Sequence, residues 1–92
     1  MDYITERAHA IFTLAHGGGV PSNEDIALYR TYAVLSFAKG KETTARDVHD
    51  AWTSWIIGTY PYHRSAKPFD QLSEDIQKMD DLYVSAIHRA ST

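Results

Sequence analysis

The side chains best suited to chemistry are two histidines in the middle of the chain, His49 and His63. With a neighbouring carboxylate, Asp47 or Asp50, they would supply the nitrogen and oxygen donors that divalent metals bind. The chain has neither an HxxxH nor an HxxEH spacing, however, and it contains no cysteine. We therefore expect no metal site. The simpler interpretation is a histidine that hydrogen-bonds a loop carbonyl and holds the loop in place.

A second group of side chains combines positive charge with aromatic rings. Residues 53–69 contain no acid, whereas residues 70–81 contain five acids and one lysine. Cations beside aromatic rings suit a nucleotide or phosphate ligand, but pairing of Arg64 or Lys67 with the acidic segment is the simpler expectation. Both interpretations stay open from the sequence. The candidate residues for a ligand or partner are His49, Trp52, Tyr60, Tyr62, His63, Arg64 and Lys67.

Familiar catalytic patterns are missing from the chain. There is no GxSxG motif, and no serine stands in a recognisable relation to a base. The pair Gly40-Lys41 suggests a phosphate-binding P-loop, but Leu35 stands where that motif needs glycine, and Glu42 where it needs serine or threonine. We therefore expect no catalytic residue, no enzymatic activity and no cofactor.

Length and composition indicate one small globular domain. A chain of 92 residues has room for a single modest core, and 43% apolar with 23% charged residues is typical of folded proteins. The net charge of −3 provides no general attraction to nucleic acid. No apolar run approaches the length of a membrane span, and the N-terminus lacks signal-peptide features. We expect a cytoplasmic protein whose partners are neither nucleic acid nor membrane.

Apolar residues at three- and four-residue steps predict four helices, over about 2–16, 22–39, 44–57 and 73–90. Ser22, Thr44 and Ser73 are the predicted N-caps, and Thr44 forms a capping box with Asp47. A glycine-rich linker, 17–21, follows the first helix. The loop before the last helix is constrained by prolines and has room for a short extended segment. The predicted fold is therefore a single domain, mainly α: a compact bundle of about four helices.

The second and fourth predicted helices differ in how they distribute apolar residues. The second is apolar nearly all round, which predicts a central position, and leaves open whether Tyr29 and Tyr32 serve the core or a dimer seam. Exchange of the first helix between protomers also stays open, because its linker is flexible. The predicted buried stripe of the last helix comprises Ile76, Met79, Tyr83, Ala86, Ile87 and Ala90.

Two boxes in the chain resemble the RyR domain, the small module repeated in ryanodine receptors and also found alone in prokaryotes and phages. A closer likeness, over about 22–90, is to small single-domain proteins of actinobacterial phages that carry a TAxDVHxAW box and a PFDxL box. The chain departs from the receptor pattern at Arg64 and Ser73, where proline is usual, and at Ala66, where leucine is usual. The matching residues are Thr44 to Trp52, then His63, Pro68, Phe69, Asp70 and Leu72.

The resemblance implies a compact helical binding module without catalysis, for which nucleotide binding has been suggested in some members. We therefore expect a small phage or prophage protein in the host cytoplasm that binds a host protein or assembles with itself. The alternative is a module that binds or sequesters a nucleotide. In either case Trp52 is expected to hold the loop on the core, with Tyr60, Tyr62, Arg64 and Lys67 forming an exposed rim.

Overall fold

A computed structural model of residues 1–92 shows a small helical bundle without strands. The predicted mainly helical fold is confirmed. A 3₁₀ turn, Gly40–Glu42, precedes the third helix, and another, Phe69–Gln71, precedes the fourth. The α-helices are α1 (Tyr3–His16), α2 (Ile26–Ala38), α3 (Ala45–Ile56), α4 (Glu74–Lys78) and α5 (Asp81–Ala90).

Helix α1 begins and ends where local signals in the sequence place its ends. The Asp2 carboxylate accepts a hydrogen bond from the Thr5 backbone N–H at 2.8 Å, which satisfies one of the free donors at the start of the helix. Gly17 ends the helix with φ of 76°, and its N–H donates to the carbonyl of Thr13. Only glycine adopts this left-handed conformation without strain. Helix α1 lies against α2 and α5 of its own chain.

Helix α2 supplies much of the core, because its inner face carries buried tyrosines. Tyr29 and Tyr32 are almost fully buried, and their rings pack edge to face with centroids 5.4 Å apart. They therefore serve the core rather than a dimer seam. The helix begins at Ile26, later than predicted, but the Ser22 hydroxyl accepts from the Asp25 N–H at 3.2 Å, the contact expected of an N-cap, in the turn just before the helix.

Helix α3 starts at the predicted capping box. The Thr44 hydroxyl accepts from the Asp47 N–H, and the Asp47 carboxylate accepts from the Thr44 N–H at 2.9 Å. The inner face of α3 buries Val48 and His49. Just before the helix, the carbonyl of Thr43 accepts a 2.7 Å hydrogen bond from Nε2 of His88 on α5. This bond ties the connection between α2 and α3 to the last helix.

The predicted last helix is divided into α4 and α5. The backbone tightens around Met79, where the Met79 and Asp80 N–H groups donate to carbonyls three residues back. Acidic Asp81 then occupies the first turn of α5, where the helix dipole favours negative charge. The predicted buried stripe is therefore wrong at Ile76 and Met79, which are exposed, whereas Ala86 and Ile87 are buried.

One buried polar residue, Ser36, joins α2 to α1 and to the end of α5. Ser36 of α2 accepts a hydrogen bond from Arg7 of α1 at 3.0 Å and donates to the carbonyl of Ala33 at 2.7 Å. The Ser36 carbonyl accepts from the hydroxyl of Ser91, just after α5, at 3.4 Å. The core around this point consists of Ala8, Ile11, Leu28, Tyr29, Tyr32, Ala33, Val48, Ala86 and Ile87.

Candidate functional site

The loop between α3 and α4, residues 57–73, is held by a histidine beneath it. His49 is only 3% exposed, and its Nε2 lies 2.7 Å from the carbonyl oxygen of Lys67. Because a carbonyl oxygen only accepts hydrogen bonds, Nε2 must carry the hydrogen. The Thr53 hydroxyl lies 3.3 Å from the same nitrogen. His49 therefore performs the loop-holding role predicted as the simpler interpretation, and its side chain is not available to a partner.

Trp52 and His63 extend these contacts from His49 to the middle of the loop. The Trp52 ring stacks on His49 at 5.6 Å between centroids, and the edge of His63 meets Trp52 at 5.1 Å. His63 Nδ1 accepts from the backbone N–H of Ser65 at 3.0 Å. No group of three or more histidine or carboxylate side chains is arranged to hold a metal ion. Both histidines therefore order the loop around Trp52.

The remaining predicted residues form an exposed rim, which we call the loop rim: Tyr60, Tyr62, Arg64 and Lys67. Tyr60 is 60% exposed and Tyr62 is 96% exposed. Arg64 and Lys67 are exposed as well, and neither makes an ion pair. The expectation that Arg64 or Lys67 pairs with the acidic segment is therefore wrong.

The acidic segment pairs instead with Arg46, in the first turn of α3. The Arg46 guanidinium donates two hydrogen bonds to Asp70, at 2.7 and 3.1 Å, and lies over the ring of Phe69. This contact lowers the pKa of Asp70 below its ordinary value. Sequence reasoning missed the pair, although Arg46 lies in the first box and Asp70 in the second. The placement of Arg46 in one box and Asp70 in the other was the sequence signal that could have pointed to this pair.

Asp80 is a second residue that sequence reasoning missed. Its carboxyl is half-buried at the start of α5, and burial raises its pKa from 3.8 to about 6. The charge of His49 opposes this rise in pKa, and the neighbouring Asp81 adds to it. The sequence shows Asp80 only as one of five acids in residues 70–81 and does not show that its carboxyl is half-buried.

The extended segment predicted in the loop is not found. Between α3 and α4 the backbone forms a series of turns, with the His63 N–H donating to the Tyr60 carbonyl at 3.1 Å and the Ala66 N–H donating to the His63 carbonyl at 2.9 Å. Prolines at both ends of this series restrict the backbone and remove donors that a strand would need. The loop is therefore a sequence of tight turns.

Two shallow depressions lie on other parts of the surface. One, of about 350 Å³, lies between α3, the second 3₁₀ turn and α4; the other, of about 450 Å³, lies between α2 and α3. Neither is lined by any of the seven residues predicted to bind a ligand or partner. One face of the Trp52 ring is already covered by His49. These two depressions therefore place no concave site, the kind that usually binds small molecules, at the loop rim.

Comparison with known proteins identifies a family. The family model described as Domain of unknown function (DUF7701) matches residues 2–92, so the chain belongs to this family. No curated protein and no solved structure matches the chain. None of the helices has the length and apolar character needed to cross a membrane.

Proposed function

We propose that this member of the DUF7701 family is a non-enzymatic binding module that holds a partner protein on its loop rim. One observation carries the proposal: two cations without ion-pair partners, Arg64 and Lys67, lie in the same loop as two highly exposed tyrosine rings. Tyrosine and arginine are enriched at the centres of protein interfaces. Their combination in one loop is the strongest support for a protein-binding surface in the molecule.

The way the loop is held adds a second argument. Bonds from His49 to Lys67 and from Ser65 to His63 order its backbone from below. A preordered loop loses less conformational entropy when a partner binds than a flexible loop would. The structural residues of the loop therefore lower the cost of association, while the side chains of the rim supply the contacts.

The charge of the rim determines the kind of partner. Because Arg64 and Lys67 lack carboxylates of their own, an acidic segment with apolar side chains is the complementary surface. The resemblance to phage RyR-like proteins favours a protein of the host cell, with the complex in the host cytoplasm. A nucleotide is the alternative occupant. It has weaker support, because one face of the Trp52 ring is covered by His49 and the rim lines neither of the two depressions.

The test is retention of a partner by tagged protein in an actinobacterial host lysate. We expect the wild type to retain a defined protein, and Arg64→Glu with Lys67→Glu to reduce retention about tenfold or more through charge repulsion. Lys41→Glu is the matched control, since Lys41 is exposed but lies far from the loop in sequence and outside the rim. The melting temperature of all variants should stay within about 2 °C, because exposed charges contribute little to stability.

Two results would count against the proposal. Equal retention by the wild type and the double variant would exclude the loop rim as the binding surface. A rise in melting temperature with a mononucleotide or cyclic nucleotide, absent in the double variant, would favour the nucleotide alternative, because a bound ligand stabilises the folded state.

A further inference from the structure

Helix α2 has an outer face whose apolar side chains stay about half exposed. Arg30 is the only charged residue among its 13 residues. A helix so apolar on all sides is usually buried on all sides, but here α1, α3 and α5 cover only the inner side. Two large apolar residues remain outside, Val34 at 52% and Phe37 at 47% exposed. Helix α2 therefore has an apolar outer face that is not buried within this bundle.

This face continues onto both neighbouring helices. On the α1 side, the exposed ring of Tyr3 meets Phe37 edge to face at 5.4 Å. On the α3 side, Val34 and Ala51 line the depression of about 450 Å³ between α2 and α3. We call this combined surface the α2 face. It presents a row of apolar side chains next to a shallow groove, and none of the loop-rim residues belongs to it.

The two edges of the α2 face carry opposite charges. On the α1 edge, Arg7 lies over the Phe37 ring at 4.1 Å, and Arg30 donates to the Thr5 hydroxyl at 3.1 Å. On the α3 edge, Asp47 and Asp50 line the groove. Asp47 is paired with Lys39, but Arg7, Arg30 and Asp50 make no ion pair within the chain. The face therefore has a free positive edge and a free negative edge on either side of an apolar centre.

We propose that the α2 face is a self-association surface occupied by a second copy of this chain. A two-fold axis parallel to α2 places the α1 edge of one protomer against the α3 edge of the other. Each protomer then contributes the same patch, as a two-fold interface requires, and opposite charges meet twice across an apolar seam. An arrangement with the axis across α2 would place like charges together.

The dimer adds a property that the loop rim does not have by itself. The two loop rims of a dimer can engage two copies, or two segments, of one partner at once, which strengthens binding when their geometry matches. The self-association surface does not depend on the proposed function, however. Its residues are distinct from those of the loop rim, so the two ideas fail independently.

Sedimentation over a dilution series tests the dimer. The face has few large exposed side chains and belongs at the small end of specific interfaces, so we expect dissociation on dilution within about 1 µM to 1 mM. The wild-type mass should rise with concentration from 10.4 kDa toward twice that value. Val34→Glu should stay at 10.4 kDa throughout, with an unchanged helical circular dichroism spectrum.

Leu82→Glu is the matched control, because Leu82 is 49% exposed on α5, away from the α2 face. It should dimerise as the wild type does. A wild type that stays monomeric over the whole series would overturn the proposal. Dissociation by Leu82→Glu with Val34→Glu still dimeric would overturn it too, and would assign the interface to the apolar side chains exposed on α4 and α5.

A charge exchange tests the two-fold arrangement itself. Arg30→Glu and Asp50→Arg should each weaken dimerisation about tenfold, because each places like charges across the seam. The double variant should recover most of the lost affinity, since a negative charge at position 30 then faces a positive charge at position 50 of the other protomer. A double variant weaker than either single variant would exclude this pairing of edges.

Discussion

Two histidines each hold one connection between helices through a hydrogen bond from Nε2 to a backbone carbonyl, but the two connections differ in length and exposure. His88 reaches the Thr43 carbonyl and His49 reaches the Lys67 carbonyl, both through Nε2 at 2.7 Å. The connection held by His88, residues 39–44, is short, and Thr43 within it is buried. The connection held by His49, residues 57–73, is long and mostly exposed.

The difference shows how one kind of contact can serve either packing or presentation. Around His88 the neighbouring side chains of α5, Ala86 and Ile87, are fully buried, so the bond closes a core. Around His49 the chain beyond the bond turns outward and shows Tyr62 and Arg64 to solvent. We therefore expect the first region to control global stability and the second to control the order of a surface loop.

The largest effect should come from the core side of this comparison. Ile87→Ala removes a fully buried side chain, and such truncations cost about 2–5 kcal/mol because a cavity remains. The free energy of unfolding from urea titration measures the loss. Leu82→Ala, on the exposed side of the same helix, is the control and should cost about 0.5 kcal/mol. Similar losses in the two variants would contradict the assigned core.

A smaller but more local effect should come from the loop side. His49→Ala leaves the Lys67 carbonyl without its partner and should cost about 1–3 kcal/mol. Amide hydrogen exchange should also quicken at Ser65 and Ala66, whose N–H groups donate within the loop. His88→Ala should cost a similar amount but leave these loop amides protected relative to global unfolding. Equal loss of their protection in both variants would remove the distinction between the two regions.

The smallest effect concerns Asp80, whose carboxyl is close enough to His49 to feel its charge, and this effect depends on pH. Because burial raises the pKa of Asp80 to about 6 from 3.8 in the unfolded chain, the folded state binds this proton more tightly. Stability therefore falls as pH rises from about 4 to about 6. Asp80→Asn should stabilise the protein by about 1 kcal/mol at pH 7, a modest figure because solvent screens a half-buried carboxyl.

The gain from Asp80→Asn should largely disappear near pH 4, because the folded wild-type protein then holds this carboxyl in its neutral form. Urea titrations at the two pH values measure the difference. Asp75→Asn, at an exposed position on α4, is the control, because Asp75 is not among the groups that shift the pKa of Asp80. A gain of the same size at both pH values would show that the substitution acts through packing or helix propensity instead of charge.

Features that depend on a few neighbouring residues were predictable from the sequence. The Thr44 capping box and the helix end near Gly40, which has φ of 56°, follow from local backbone geometry. The loop-holding histidine was also predicted, because a buried imidazole needs a partner. The carbonyl it reaches, that of Lys67, could not be predicted, since the fold of the loop decides it.

The wrong predictions concern contacts between distant segments. Charge composition favoured Arg64 or Lys67 as the partners of the acids. Composition does not show, however, that the loop directs these two side chains to solvent. Arg46 instead lies within reach of Asp70. The division between α4 and α5 was missed for a related reason. A run of helix-compatible residues does not show where tertiary packing turns the chain.

The hydrogen bonds of Ser36 have a consequence for the kinetics of folding. Ser36 contacts Arg7 across 29 positions of sequence and Ser91 across 55. Loop-closure entropy grows only logarithmically with loop length, so closing the longer loop costs about 0.6 kcal/mol more than closing the shorter one. This difference is about the size of the thermal energy. Chain entropy therefore separates the two contacts of Ser36, to α1 and to the end of α5, by only this small margin.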